Sequence, residues 1–145
     1  MSKLYTIGFT KKSSEVFFDL LRKVNISNII DVRLHNESQL AGFSKKDDLK
    51  YFLKEICHCA YEHRPDWAPS EEILEAYKKK KIGWEQYEIQ FIKIINEKHI
   101  EKNVDINKLN GSCLLCSEPK ADKCHRRIVA EYLKQHFDAL HIYHL

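Results

Sequence analysis

Glycine and proline are scarce in this 145-residue chain, numbering only four and three. With so few breakers, no segment reads as an interdomain linker and no stretch repeats. Long apolar runs are missing too. None approaches the roughly 18 residues a membrane span requires, so no membrane partner is expected. Residues 1–8 have neither the apolar core nor the small-residue cleavage site of a secretory signal. Five cysteines at irregular spacing make no disulfide framework, and reduced thiols in the cytoplasm are the expectation. A marked excess of one charge is also absent. The net charge of +3 and pI near 8.5 fall short of the clustered basic surplus of a dedicated nucleic-acid binder. The one conspicuous run, the lysines at 78–81, reads first as a solvated helical end, with a phosphate-binding patch as the alternative.

What is present describes a single folded domain over residues 1–145, long enough for one full hydrophobic core. Apolar residues make up 43% of the chain and recur in every segment, which excludes extended disorder. Periodicity then sets the elements. Residues 4–7 form a short apolar run ending at Gly8, a buried first strand. Ser13 caps a helix with Val16, Phe17, Leu20, Leu21 and Val24 on its inner face. Residues 29–33 read as a second buried strand that ends in charge, and 34–42 as a loop. Ser44 caps a helix facing inward through Leu49, Phe52, Leu53 and Ile56, and residues 59–63 form a short third strand. After the loop marked by Pro65 and Pro69, Ser70 caps a helix carrying Ile73, Leu74 and Tyr77. A longer helix follows Gly83, with Trp84, Tyr87, Phe91, Ile92 and Ile95 on one side. Residues 96–110 read as a polar connector, 112–116 as a strand, and Asp122 as the cap of a last helix facing inward through Ile128, Val129, Tyr132, Leu133 and Phe137. Residues 140–145 close the chain as a strand.

Strands alternating with helices require crossover connections, hence an α/β three-layer sandwich around a mainly parallel central sheet of four to five strands, Rossmann-like or flavodoxin-like. In such sheets ligands bind beyond the carboxyl ends of the strands. The residues placed there are Phe9-Thr10, Arg33, His63-Arg64 and Ser117-Glu118.

The segment 116–126 joins a buried strand to a helix start and carries Cys116, Glu118, Cys124, His125 and Arg126. Cys124 falls at about the second helical position, where free N–H groups and the macrodipole favour a thiolate. His125 supplies a base and Arg126 a fixed cation, so an activated nucleophile is one reading; quiet packing of Cys124 and a solvent-facing His125 is the other. Glu118 is placed to orient Arg126 or Arg33 or to move a proton, with an ordinary ion pair as its alternative. Arg33 directly follows a strand and suits a phosphate or carboxylate, and Asp31 is placed to hold it.

Cys113 and Cys116 with Cys124 and His125 make four candidate zinc ligands. An odd separation along a strand points Cys113 and Cys116 to opposite faces, so no closed metal site is expected. The Cys57-His58-Cys59 cluster reads as core packing, and His136, His141 and His144 as surface. Trp67 and Trp84 read as core, or as platforms for a base.

The set Thr6-Ile7-Gly8-Phe9-Thr10, Ile30-Asp31-Val32-Arg33 with Ser38 and Phe43, and Leu114-Leu115-Cys116-Ser117-Glu118 with Cys124-His125-Arg126 resembles the DUF488 family. That family is a group of small, mostly bacterial and archaeal proteins of uncharacterised function. The resemblance runs from residue 5 to about 133, and its last motif is the specific part. It implies that Thr6, Gly8, Asp31, Arg33, Ser38, Cys116, Glu118, Cys124, His125 and Arg126 occupy family motif positions, with Cys113 outside the pattern. The family commonly has His-Ser where this chain has Phe9-Thr10, and Leu-Gly-Gly near Trp67-Ala68-Pro69. The expectation is an uncharacterised DUF488-like protein working on an anionic or nucleotide-like ligand. Cys116, Glu118, Cys124 and His125 are its catalytic candidates, and Thr10, Asp31, Arg33, Ser38 and Arg126 its ligand-binding candidates. No cofactor is expected. A non-catalytic nucleic-acid or nucleotide binding module is the alternative.

Overall fold

Short apolar runs become strands because they are buried on both faces. All five residues of the strand at 112–116 are buried, as are the last five of the strand that opens the chain. The computed structural model describes residues 1–36, 42–118 and 120–145. Strands β1 (Ser2–Gly8), β2 (Asn28–Asp31), β3 (Ala60–His63), β4 (Ser112–Cys116) and β5 (Leu140–His144) form one all-parallel sheet in the order β3-β2-β4-β1-β5. Helices cover both faces, the expected three-layer α/β sandwich.

Helix α1 (Ser14–Lys23) starts where Ser13 accepts a hydrogen bond from the Val16 N–H, and α3 (Glu71–Lys78) where Ser70 accepts from Ile73. Helix α2 (Lys46–Phe52) departs from expectation. Its N-cap is Lys45, without a side-chain bond, while Ser44 lies one residue earlier, buried at the end of a 3₁₀ turn (Gly42–Ser44). The Ser44 carbonyl accepts from the Arg33 guanidinium, which holds that residue out of the capping position. Helix α2 continues into a π-helical turn, Leu53–Cys57. Helix α4 (Trp84–Lys98) runs three residues past Ile95, and the connector after it contains a 3₁₀ turn (Ile100–Asn103) and the short α5 (Ile106–Leu109), capped by Asp105. Helix α6 (His125–His136) begins after Cys124 rather than after Asp122. Val16, Ile56 and Ile92, expected inward, are exposed at the margins of their apolar stripes, whereas Phe18 takes an inner position on α1.

The two faces of the sheet carry separate cores. Connections running toward β3 leave their helices on one face, where Phe17, Leu21, Leu49 and Leu53 pack on Tyr5 and Ile7. Connections running toward β5 leave theirs on the other, where Phe91, Ile95, Leu109, Ile128 and Val129 pack on Leu4 and Ile30. A single crossover handedness requires this division. Strand β4 shows it within five residues: Cys113 and Leu115 belong to the first core, Leu114 and Cys116 to the second. Among the described residues no helix is long and apolar enough to cross a membrane.

The serine caps are local and separable. Ser13→Ala and Ser70→Ala should each cost about 1 kcal/mol in urea unfolding, with effects that add in the double variant.

Candidate functional site

The chain direction reverses around β4. It leaves the end of β2 toward β3 on one face and the end of β4 toward β5 on the other, and a crevice opens between two such strand ends. The crevice here is a cleft of about 430 Å³, with Arg33 from the β2 end and Cys116, Cys124 and His125 from the β4–α6 passage in its walls. On the other flank of β4 the corresponding space is shut. A Cβ added to Gly8 would lie 1.6 Å from the Glu118 carbonyl oxygen, and the Thr10 N–H donates to Ser117 at 3.0 Å. A hollow of about 510 Å³ between α1 and the turn after α2 is lined by Phe18, Phe43 and Phe52 and carries none of the candidate groups.

Arg33 is 3% exposed and is held by Asp31, as the sequence led us to expect. Its Nε and Nη2 donate to the two carboxylate oxygens at 2.8 and 2.7 Å, its own backbone N–H to Oδ1, and Nη2 also to the Ser44 carbonyl. The guanidinium stacks over Phe9, 5.2 Å from the ring centroid, so the aromatic at this position grips the arginine. The Tyr61 hydroxyl donates to the same carboxylate, and burial followed by the Asp31 charge pushes its pKa well up. Nη1 of Arg33 has no partner among the described residues.

His125 is the first residue of α6 and turns inward, its ring edge-on to Phe91. Nε2 lies 2.6 Å from the Val32 carbonyl oxygen, and Nδ1 lies 3.3 Å from Cys116 Sγ. A carbonyl only accepts, so Nε2 carries a proton, and in the neutral form of the ring the bare nitrogen is Nδ1, on the side of the sulfur. Cys124 has extended backbone and is the N-cap of α6, two residues short of the expected place, because the helix starts where His125 and Arg126 reach Val32 and Thr6. Cys124 lacks the thiolate bias expected of it. Burial pushes Cys124 well up, and its hydrogen bond to Cys116 adds to that. Burial also acts to raise Cys116, but the Cys124 thiol, the Ser117 N–H and the Arg126 charge outweigh it, and its pKa falls below the ordinary value. The donor atoms of Cys116, Cys124 and His125 all lie within 4.8 Å of one another, close enough to share one metal ion.

Other candidates fall elsewhere. Arg126 is fully buried and does not line the cleft: Nε donates to Thr6 Oγ1 and Nη1 to the Glu118 carbonyl at 2.6 Å, bracing β1 against the β4–α6 passage. Glu118 therefore orients Arg126 through its backbone, and its exposed side chain sits at the cleft mouth. Thr10 is tied to Ser117 outside the cleft, and Ser38 lies outside the described residues. Asp31 acts on Arg33 and does not face the cleft.

Three groups that sequence reasoning missed complete the walls. Tyr77 and Tyr87 meet Trp84, which stacks on Tyr87 at 4.9 Å between centroids, and Lys123 stands at the rim with Lys78. Both tyrosines lie at core-like helical spacings, so only the tertiary crossing of α3, α4 and α6 reveals their place. Trp67 is wholly buried.

Two substitutions test this geometry. Asp31→Asn strands a buried guanidinium and should cost about 3–5 kcal/mol in chemical unfolding, with part of the loss recovered when Arg33→Met is added. Gly8→Ala forces a methyl into the Glu118 carbonyl and should cost at least about 3 kcal/mol.

Searches of curated proteins and of solved structures return no match. Residues 13–133 match the model of the family described as "Domain of unknown function DUF488", and the chain belongs to that family.

Proposed function

We propose that the protein is an enzyme acting on an anionic, nucleotide-like ligand held in the strand-end cleft, with Cys116, Cys124 and His125 as its reacting centre. The observation that carries this reading is Arg33. A buried guanidinium, already oriented by two bonds to Asp31, lies in the wall of the cleft that holds the thiols, and its own buried Nη1 has no partner among the described residues. Fixing such a group before the ligand arrives removes the ordering cost from binding. Lys78 and Lys123 at the rim supply further positive charge for a phosphate, and the Trp84–Tyr87 wall offers a flat face for a base. Glu118 at the mouth is an exposed acid–base group within reach of solvent. Reduced thiols suit the cytoplasmic setting expected from the sequence.

A module that tracks a nucleic-acid backbone is less well supported. It calls for a continuous basic surface linking Arg33, Arg126 and Arg127 to the exposed lysines at 78–81. The first two are buried, and Arg127 is paired with Glu88 at 2.8 Å and Glu131 at 2.6 Å.

Trp84 fluorescence provides the test. Adenosine monophosphate and inorganic phosphate should both perturb it, and Arg33→Lys should weaken each at least tenfold, about 1.4 kcal/mol. The bound nucleotide should be converted by the native chain and left intact by Cys116→Ser. No binding of either ligand at low salt would sink the reading. Binding without conversion, indifferent to Cys116→Ser, would establish the non-catalytic alternative.

A further inference from the structure

We propose that Cys116 Sγ, Cys124 Sγ and His125 Nδ1 form a three-ligand site for a tetrahedral divalent metal ion of the zinc class, with the fourth position open to the cleft. In tetrahedral zinc sites the thiolate and imidazole bond lengths place neighbouring donors about 3.5–3.8 Å apart. Here Cys116 Sγ and Nδ1 are 3.3 Å apart and every pair lies within 4.8 Å, so side-chain adjustments of about 1 Å or less close the three onto one centre.

The histidine is the second, independent pointer. A ligating imidazole ordinarily donates its remote N–H to a carbonyl or carboxylate, which fixes both tautomer and ring plane. His125 does this with Val32 at 2.6 Å, leaving Nδ1 as the only lone pair and aiming it at the sulfurs. Two soft sulfurs with one imidazole select zinc-like ions over calcium or magnesium. Two thiolates neutralise a dication, so the loaded centre can be buried without a residual charge. Among the described residues no fourth histidine, cysteine or carboxylate joins the group. Since all three ligands line the cleft, the vacant position faces the space beside Arg33. Cys113, on the opposite face of β4, is excluded and serves as a control.

The assignment deepens the proposed function, because the ion would polarise an oxygen of the same anion or a bound water. The site itself is testable without any substrate. Cobalt(II) titrated anaerobically into the reduced full-length chain should give thiolate-to-cobalt charge-transfer bands and tetrahedral d–d bands, saturating at one equivalent and abolished by zinc. Cys113→Ser should keep the spectrum, Cys116→Ser and Cys124→Ser should each lose it, and His125→Gln should weaken binding at least tenfold, with folding checked by circular dichroism. Absence of the bands in reduced protein, or their survival in both cysteine variants, overturns the site. The cobalt spectrum reports the ion and Trp84 fluorescence reports the anion. Loss of one signal without the other therefore separates failure of the metal site from failure of the functional reading.

Discussion

Parallel strands cannot be joined by hairpins, and that constraint organises everything in this molecule. Each pair needs a crossover of fixed hand, so the direction of travel decides which face a helix covers. The order β3-β2-β4-β1-β5 sends the first two crossovers one way and the last two the other, with β4 at the reversal. Both flanks of β4 could have opened into a crevice. Gly8 decides between them, since its missing side chain lets the Glu118 carbonyl close one flank while the other stays open.

On the two flanks of β4 the protein buries one guanidinium group each and treats them differently. Arg33 receives a carboxylate at once, a tyrosine supports that carboxylate, and an aromatic ring covers the face of the cation. Arg126 has neutral hydrogen-bond partners and no carboxylate within ion-pair distance among the described residues. Desolvating a cation in this way is costly unless something nearby is negative. The Arg126 charge in turn contributes, after the Cys124 thiol and the Ser117 N–H, to lowering the pKa of Cys116. One arginine braces β1 against the β4–α6 passage, and the other lines the cleft.

The sequence carried the sheet, the order of elements and the location of the cleft, because burial on two faces and helical periodicity are local signals. The strand-end argument also brought Arg33 beside Cys116 across 83 positions of chain, and alternation along β4 separated Cys113 from Cys116. What could not be read were features set by contacts between distant segments. Ser44 looks like a cap until Arg33 takes its carbonyl. Cys124 looks like a helical residue until His125 and Arg126 are seen reaching for Val32 and Thr6. Arg126 looks like an anion ligand until its partners prove to be a threonine hydroxyl and a backbone oxygen. Tyr77 and Tyr87 resemble core residues because they are nearly that, forming the core where it meets the cleft.

The peptide group of Val32 has a consequence of its own. Its N–H donates to Leu115 on β4, its carbonyl accepts from His125, and the next residue is Arg33, whose own carbonyl contacts His63 at 2.6 Å. A single backbone unit thus links the imidazole beside the thiols to the guanidinium in the cleft wall. Because Val32 and Arg33 are consecutive, a displacement of that peptide moves both contacts, and the positions of the imidazole and the guanidinium are set together.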